Sequence, residues 1–83
     1  MKYVFGNWKM YLDFDESNIL INGLLQEKFD SEKVGLAVFP STLALREVTM
    51  SAKDTEFAVG AQNVAWVPKG AYTGAVSAQM FSD

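Results

Sequence analysis

Histidine and cysteine do not occur in this chain of 83 residues. Without cysteine there is no thiolate nucleophile and no disulfide, and without histidine there is no imidazole to act as a general acid or base. The usual zinc site built from Cys and His is excluded for the same reason. Any chemistry of the chain must therefore rest on lysine, carboxylates, amides, hydroxyls and the backbone.

Positive charge is also scarce. Seven Lys and Arg stand against ten Asp and Glu, which gives a formal net charge of -3. A nucleic-acid partner is not expected, because binding phosphate backbones needs clustered Lys and Arg. No apolar run is long enough for a signal peptide or a membrane span, so no membrane partner is expected either. We expect a cytoplasmic protein, and the missing cysteines fit a reducing compartment.

Short segments rich in β-branched and aromatic residues alternate with segments of helical periodicity. The first kind predicts strands at about 2–10, 33–40 and 56–64. The second predicts helices at about 15–29 and 41–53, and the start of another at 77–83. Strand and helix in alternation are typical of right-handed βαβ units in a parallel sheet. We therefore predict an α/β fold over a single segment, 1–83.

A sheet of three parallel strands is incomplete by itself. Such strands are normally buried on both faces, whereas three of them leave two edges with unpaired N–H and C=O groups. We also expect an exposed apolar face around Phe5, Val38 and Val59. The sequence therefore predicts the beginning of a larger structure, and an isolated chain that associates with itself.

Polar side chains follow the first and third predicted strands. Alternation along a strand would place Asn7 and Lys9 on one face at its carboxyl end, where α/β proteins bind ligands. Lys9 then suits a phosphate, a carboxylate or a developing oxyanion, or it simply extends into water. The amides of Gln62 and Asn63 would fix a loop or a ligand, or satisfy backbone groups of a turn. No glycine-rich phosphate loop is present, although Gly60 permits close backbone approach.

Hydroxyl groups have no base nearby, so we interpret them as helix caps. Ser41 or Thr42 would cap the second helix, and Ser77 would cap the last. The face of the second helix is predicted to consist of Leu45, Val48 and Ala52.

Three motifs stand in order with suitable spacing: Gly6-Asn7-Trp8-Lys9-Met10, Gly60-Ala61-Gln62-Asn63-Val64 and Gly70-Ala71-Tyr72-Thr73-Gly74, followed by Ser77-Ala78-Gln79-Met80. Together they closely resemble the triosephosphate isomerase family, over essentially the whole chain. The resemblance implies the first three of the eight βα units of a (β/α)₈ barrel, for which this family is the name-giving example.

The resemblance also implies an activity. The family interconverts dihydroxyacetone phosphate and glyceraldehyde 3-phosphate through an enediolate, without metal or organic cofactor. Asn7 would help to orient the substrate, and Lys9 would bind it and neutralise the enediolate. The family is itself the standard example of an isomerase with a glutamate base and a neutral histidine, and both lie later in its fold. We therefore expect the isolated chain to be inactive.

Loop 66–76 resembles the loop that family members insert into a neighbouring subunit. The resemblance implies an interface that includes Met10, Gln62, Asn63, Tyr72 and Thr73. Thr73 would reach the Asn7–Lys9 region of a second copy, and Met10 would pack beneath that copy's loop. Two residues depart from the family pattern: Ala75 replaces the usual Glu, and Tyr11 replaces the usual Asn. Loss of the acidic group would alter the contact between subunits.

Three interpretations remain open. The chain is the N-terminal part of a triosephosphate isomerase, either naturally split or truncated, completed by a second chain that carries the rest of the barrel. Alternatively, it is a non-catalytic, self-associating α/β assembly module. A third interpretation is a small phosphate-binding domain that uses Lys9.

Overall fold

A computed structural model describes residues 2–82, in which strands and helices alternate along the chain. The elements are β1 (Lys2–Asn7), α1 (Phe14–Leu25), β2 (Val34–Phe39), α2 (Thr42–Ala52), β3 (Phe57–Val59) and α3 (Ala78–Ser82). The strands form one sheet in the order β1-β2-β3, and both pairs are parallel. The predicted βαβαβ arrangement with parallel strands is therefore confirmed.

Two strands are shorter than the sequence pattern suggests. β1 ends at Asn7 rather than near residue 10, because Lys9 adopts a left-handed backbone with φ 51° that a strand cannot continue. β3 covers only Phe57–Val59 rather than 56–64. One further backbone bond, from Gly60 N to Val38 O at 3.0 Å, extends this pairing before the chain leaves the sheet.

Helix α1 begins with a reciprocal pair of hydrogen bonds, known as a capping box. Glu16 N donates to Asp13 Oδ1 at 2.8 Å, and Asp13 N donates to Glu16 Oε1 at 3.2 Å. The helix ends at Leu25 rather than 29, because its last bonds tighten to i→i+3 spacing, as in Glu27 N to Leu24 O at 3.1 Å. Phe29 lies beyond the end of α1, and its ring packs against β3.

The partner of Phe29 is Phe57 of β3, with ring centroids 5.5 Å apart in edge-to-face geometry. This contact lies on the helix-covered side of the sheet, so Phe29 still serves the core although it is not helical.

The capping predictions have mixed outcomes. Ser41 precedes α2, but its hydroxyl makes no capping bond, and Ala44 N bonds instead to the Ser41 carbonyl at 3.1 Å. Ser77 does cap α3, since its Oγ accepts from Met80 N at 3.3 Å. That helix was predicted to run over 77–83, of which residue 83 lies outside the described part.

The face of α2 is shifted slightly from the predicted one. Val48 and Ala52 are buried as expected, but Ala44 rather than Leu45 completes the buried row. Leu45 is half-buried. The small side chain at residue 44 permits close packing of α2 against α1 and the sheet.

Strand register decides which side chains share a face. Phe5 stands opposite Ala37, while Gly6 stands opposite Val38, which in turn pairs with Val59. Phe5 therefore lies on one face, and both valines lie on the other. The predicted apolar face containing all three was wrong, because register between strands cannot be deduced from each strand alone.

The helix-covered face carries the core. Its buried cluster consists of Ile21, Val38, Ala44 and Val48, with Trp8, Leu24, Leu25 and Val59 packed around it. The opposite face is open: Tyr3 and Phe5 are each 66% exposed, and their rings lie 6.2 Å apart. Phe39 adds an edge-to-face contact with Phe5 at 6.0 Å. We call the row Tyr3, Phe5 and Phe39 the aromatic face.

One buried polar group in α1 leads to a prediction about stability. Ser17 is fully buried, and its Oγ has no hydrogen-bond partner among the described residues. Ser17→Ala removes this unsatisfied hydroxyl and raises helix propensity, so we expect stabilisation by about 1 kcal/mol. Urea unfolding of both proteins measures the change, and Ser51→Ala in α2 is a control for propensity alone. A Ser17→Ala chain less stable than the parent contradicts the prediction.

Candidate functional site

The candidate site lies where the three parallel strands end. Asn7 is the last residue of β1 and stands opposite Phe39, the last residue of β2. The chain continues from β1 into Lys9 and from β3 into Gln62. Polar groups from separate segments therefore meet at the carboxyl edge of the sheet, where parallel α/β proteins place their ligands.

Asn7 and Lys9 are joined through the backbone. Asn7 Oδ1 accepts a hydrogen bond from Lys9 N at 2.9 Å, which closes a tight turn directly after β1. Strand alternation was expected to bring these two residues together, but the strand stops at Asn7 and the left-handed φ of 51° redirects Lys9. The contact between them joins the Asn7 side chain to the Lys9 backbone, and Lys9 does not continue the strand face on which the sequence placed it. Both side chains are exposed.

Gln62 connects two of the strand ends. Its Nε2 donates to the carbonyl of Lys9 at 3.0 Å and to the carbonyl of Phe39 at 2.8 Å. Of the interpretations left open for this amide, the one that satisfies turn backbone groups is observed. The neighbouring Asn63 is exposed. The Phe39 carbonyl was not identified from the sequence, because a main-chain acceptor carries no residue-type signal.

Gly60 lets the chain pass close to an aromatic ring. A Cβ at this position would lie 2.5 Å from Phe39 Cε1 and 2.8 Å from Cδ1, distances that real side chains do not show. The expectation that Gly60 permits close approach is confirmed. Because residues 60–62 follow this path, the amide of Gln62 reaches the two carbonyls.

Charges of both signs stand at this edge. Lys9 contributes an exposed ammonium group, and the first turn of α2, which follows β2, contains no acidic residue. The positive end of the α2 dipole is therefore not offset by a carboxylate in that first turn. At α1, by contrast, Asp15 and Glu16 occupy the first turn. Within residues 2–82, no three carboxylates gather as a metal-ligand group.

Loop 66–76 is closed at its base by backbone pairing. Ala65 bridges to Ser77, and Ala65 N donates to the Val76 carbonyl at 2.8 Å. Inside the loop, the Trp66 and Tyr72 rings meet with centroids 4.9 Å apart. Thr73 is exposed near the end of this loop.

The other predicted interface residues have different surroundings. Met10 is 96% exposed, and Tyr72 is 47% exposed despite its contact with Trp66. Tyr11 and Ala75, the two departures from the family pattern, are exposed as well. The donors of Gln62, in contrast, are used within the chain.

Three parallel strands, two intervening helices and a lysine at the carboxyl edge place the chain in the parallel α/β class, to which the (β/α)₈ barrels belong. No helix within residues 2–82 has the length and apolar character needed to cross a membrane.

Comparison with known sequences identifies the particular family. A sequence model described as triosephosphate isomerase matches residues 2–83. The chain belongs to the triosephosphate isomerase family, and its βαβαβ fold is part of that family's barrel.

Curated relatives agree with this assignment. Triosephosphate isomerase of Francisella tularensis subsp. novicida (strain U112) is 39% identical over 82 residues, which cover 99% of this chain and 32% of the relative. The protein of the same name from Roseiflexus sp. (strain RS-1) is 41% identical over 78 residues, covering 94% of this chain and 31% of the relative. The chain thus spans about a third of the length of the relatives that it matches.

Proposed function

We propose that this chain supplies the Asn7 and Lys9 part of a triosephosphate isomerase active site and acts only with a further chain that completes the barrel. The observation that supports this most directly is the placement of Lys9 at the carboxyl edge, with Asn7 bonded to its amide and Gln62 to its carbonyl. In the proposed assembly, Lys9 binds the triose phosphate and Asn7 orients it.

Lys9 serves the reaction as a fixed positive charge. Isomerisation removes a proton from one carbon beside the carbonyl and returns a proton to the neighbouring carbon, with an enediolate between the two steps. Negative charge develops on oxygen in that intermediate, and an ammonium group already in place stabilises it without reorganisation of solvent. No metal or organic cofactor is required by this proposal.

The second chain must supply proton transfer. This chain has no histidine, and the family's glutamate base lies outside its three motifs. Within the described residues, β1 and β3 each have only one neighbouring strand, so each leaves an edge on which barrel strands can add. A naturally split protein and a truncated one both fit this proposal, and in either case we place the assembly in the cytoplasm.

Loop 66–76 is proposed to join copies of the assembly. Its exposed Thr73 would approach the Asn7–Lys9 turn of a second copy, and the exposed Met10 would lie beneath that copy's loop. Residue 75 in this loop is Ala rather than the Glu usual in the family, so a contact at that position has no carboxylate for an ion pair.

Complementation tests the proposal. The purified chain is mixed with a fragment of the Francisella tularensis subsp. novicida enzyme that lacks the segment matched here, and isomerisation is followed by a coupled assay. We expect no turnover by either piece alone. The fragment lacks the Lys9 segment, and in this chain Lys9 can stabilise charge but no described residue is placed beside it to move the proton. The mixture should be active.

Each other outcome has a definite meaning. Turnover by the rigorously purified chain would contradict the proposal that proton transfer is supplied by the second chain. A complex that forms and folds but shows no turnover would favour the non-catalytic assembly module. Specific binding of inorganic phosphate by the chain alone, lost in Lys9→Met, would favour the small phosphate-binding domain.

A further inference from the structure

We infer that Gln62 is a positioning residue that holds the Lys9 turn in its active geometry through the Lys9 carbonyl. Its importance for turnover rests on the proposed function, whereas its effect on the Lys9 backbone does not. The amide lies 53 positions along the chain from Lys9 and joins the end of β1 to the segment after β3.

Hydrogen bonds hold both the backbone N–H and the backbone carbonyl of Lys9. Asn7 Oδ1 accepts from Lys9 N at 2.9 Å, and Gln62 Nε2 donates to Lys9 O at 3.0 Å. Lys9 has a left-handed φ of 51°, a conformation that costs a residue other than glycine roughly 1 kcal/mol or more. Such a backbone persists only where surrounding contacts determine it, and these two bonds provide that restraint.

Gln62 is itself well anchored. Its second bond, from Nε2 to the Phe39 carbonyl at 2.8 Å, is partly buried at the end of β2. Gly60 permits the path of the chain toward this carbonyl, because any side chain there would overlap the Phe39 ring. Gln62 therefore links the Lys9 turn to β2, the middle strand of the sheet.

The matched variants are Gln62→Met, which keeps length and volume but removes both donors, and Asn63→Ala at the exposed neighbouring amide. A positive φ brings the amide and α protons of a residue close together and gives a strong intraresidue NOE. In the isolated chain we expect this signal at Lys9 in the parent and in Asn63→Ala. We expect it to weaken in Gln62→Met.

In the complemented enzyme, Gln62→Met should lower kcat/KM about tenfold to a hundredfold, since a displacement near 1 Å at a reacting group has effects of this size. In a Lys9→Met background the same change should have almost no further effect on kcat/KM, because the residue acts through Lys9. Loss of stability alone does not produce that coupling, and thermal unfolding of each variant measures stability separately.

Three results would overturn the inference. The first is a weak Lys9 NOE in the parent, and the second is a Lys9 NOE that Gln62→Met leaves unchanged. The third is an equal loss of kcat/KM from Gln62→Met in the parent and in the Lys9→Met background. If the complemented parent enzyme is inactive, the proposed function fails, while the NOE comparison still decides whether Gln62 holds the turn.

Discussion

Lys9→Met in the complemented enzyme is expected to lower kcat/KM about a hundredfold to a thousandfold, or about 3 to 4 kcal/mol of transition-state stabilisation. The methionine side chain is similar in length but carries no charge, so the enediolate loses its counterion. Stability should change little, because Lys9 is exposed and its backbone bonds do not depend on the side chain. Steady-state kinetics and thermal unfolding separate the two effects.

Lys33→Met is the matched control for this experiment. Lys33 is also exposed, and it precedes β2 at the opposite, amino end of the sheet, where its carbonyl bonds to Lys2 N at 3.0 Å. The same charge is removed, but far from the carboxyl edge. Near-normal turnover of Lys9→Met would show that the lysine only extends into water. An equal loss in both variants would indicate a general effect of net charge.

The second large effect concerns association. In the absence of a complementing chain, we expect the protein to form homodimers or larger oligomers. The described sheet has an open edge at β1 and another at β3, and the aromatic face leaves Tyr3 and Phe5 each 66% exposed. Sedimentation across a dilution series measures the state, and adding the complementing fragment should convert homo-oligomers into a mixed complex.

Charge placed on the aromatic face should weaken this association. Phe5→Lys introduces an ammonium group where apolar side chains meet, whereas Ile19→Lys changes a residue of α1 with similar exposure, 73%. We expect dissociation to smaller species in the first variant and little change in the second. A compact, cooperatively folded monomer of the parent at high micromolar concentration would show that the open edges do not drive association.

The sequence was sufficient for the order of the elements and for the parallel α/β class, because short β-branched segments alternate with amphipathic ones. Their ends were less predictable. The apolar spacing of α1 includes Phe29, yet this ring packs on Phe57 from outside the helix. Likewise, Val38 and Val59 were assigned to the wrong face, since the pairing of Phe5 with Ala37 is a property of two strands together.

At the candidate site, too, residues within one motif could be predicted, whereas contacts between distant segments could not. Asn7 and Lys9 could be named as candidates because they stand close together in a recognisable motif at a strand end. The two acceptors of Gln62 could not be identified in the same way, because they are main-chain carbonyls of residues distant in sequence. Gly60 was the local sign of close approach, but the ring that it accommodates is known only from the fold.

The bridge between Ala65 and Ser77 reduces the conformational entropy that loop 66–76 would lose on binding another surface. Ordering a residue costs about 1 to 2 kcal/mol of backbone entropy, and a free loop incurs that cost when it meets another surface. Here the base of loop 66–76 is closed by the chain's own backbone, and the Trp66 and Tyr72 rings restrict its interior. Part of the entropic cost is thus incurred during folding, so the subunit contact proposed for Thr73 would retain more of its contact energy as affinity.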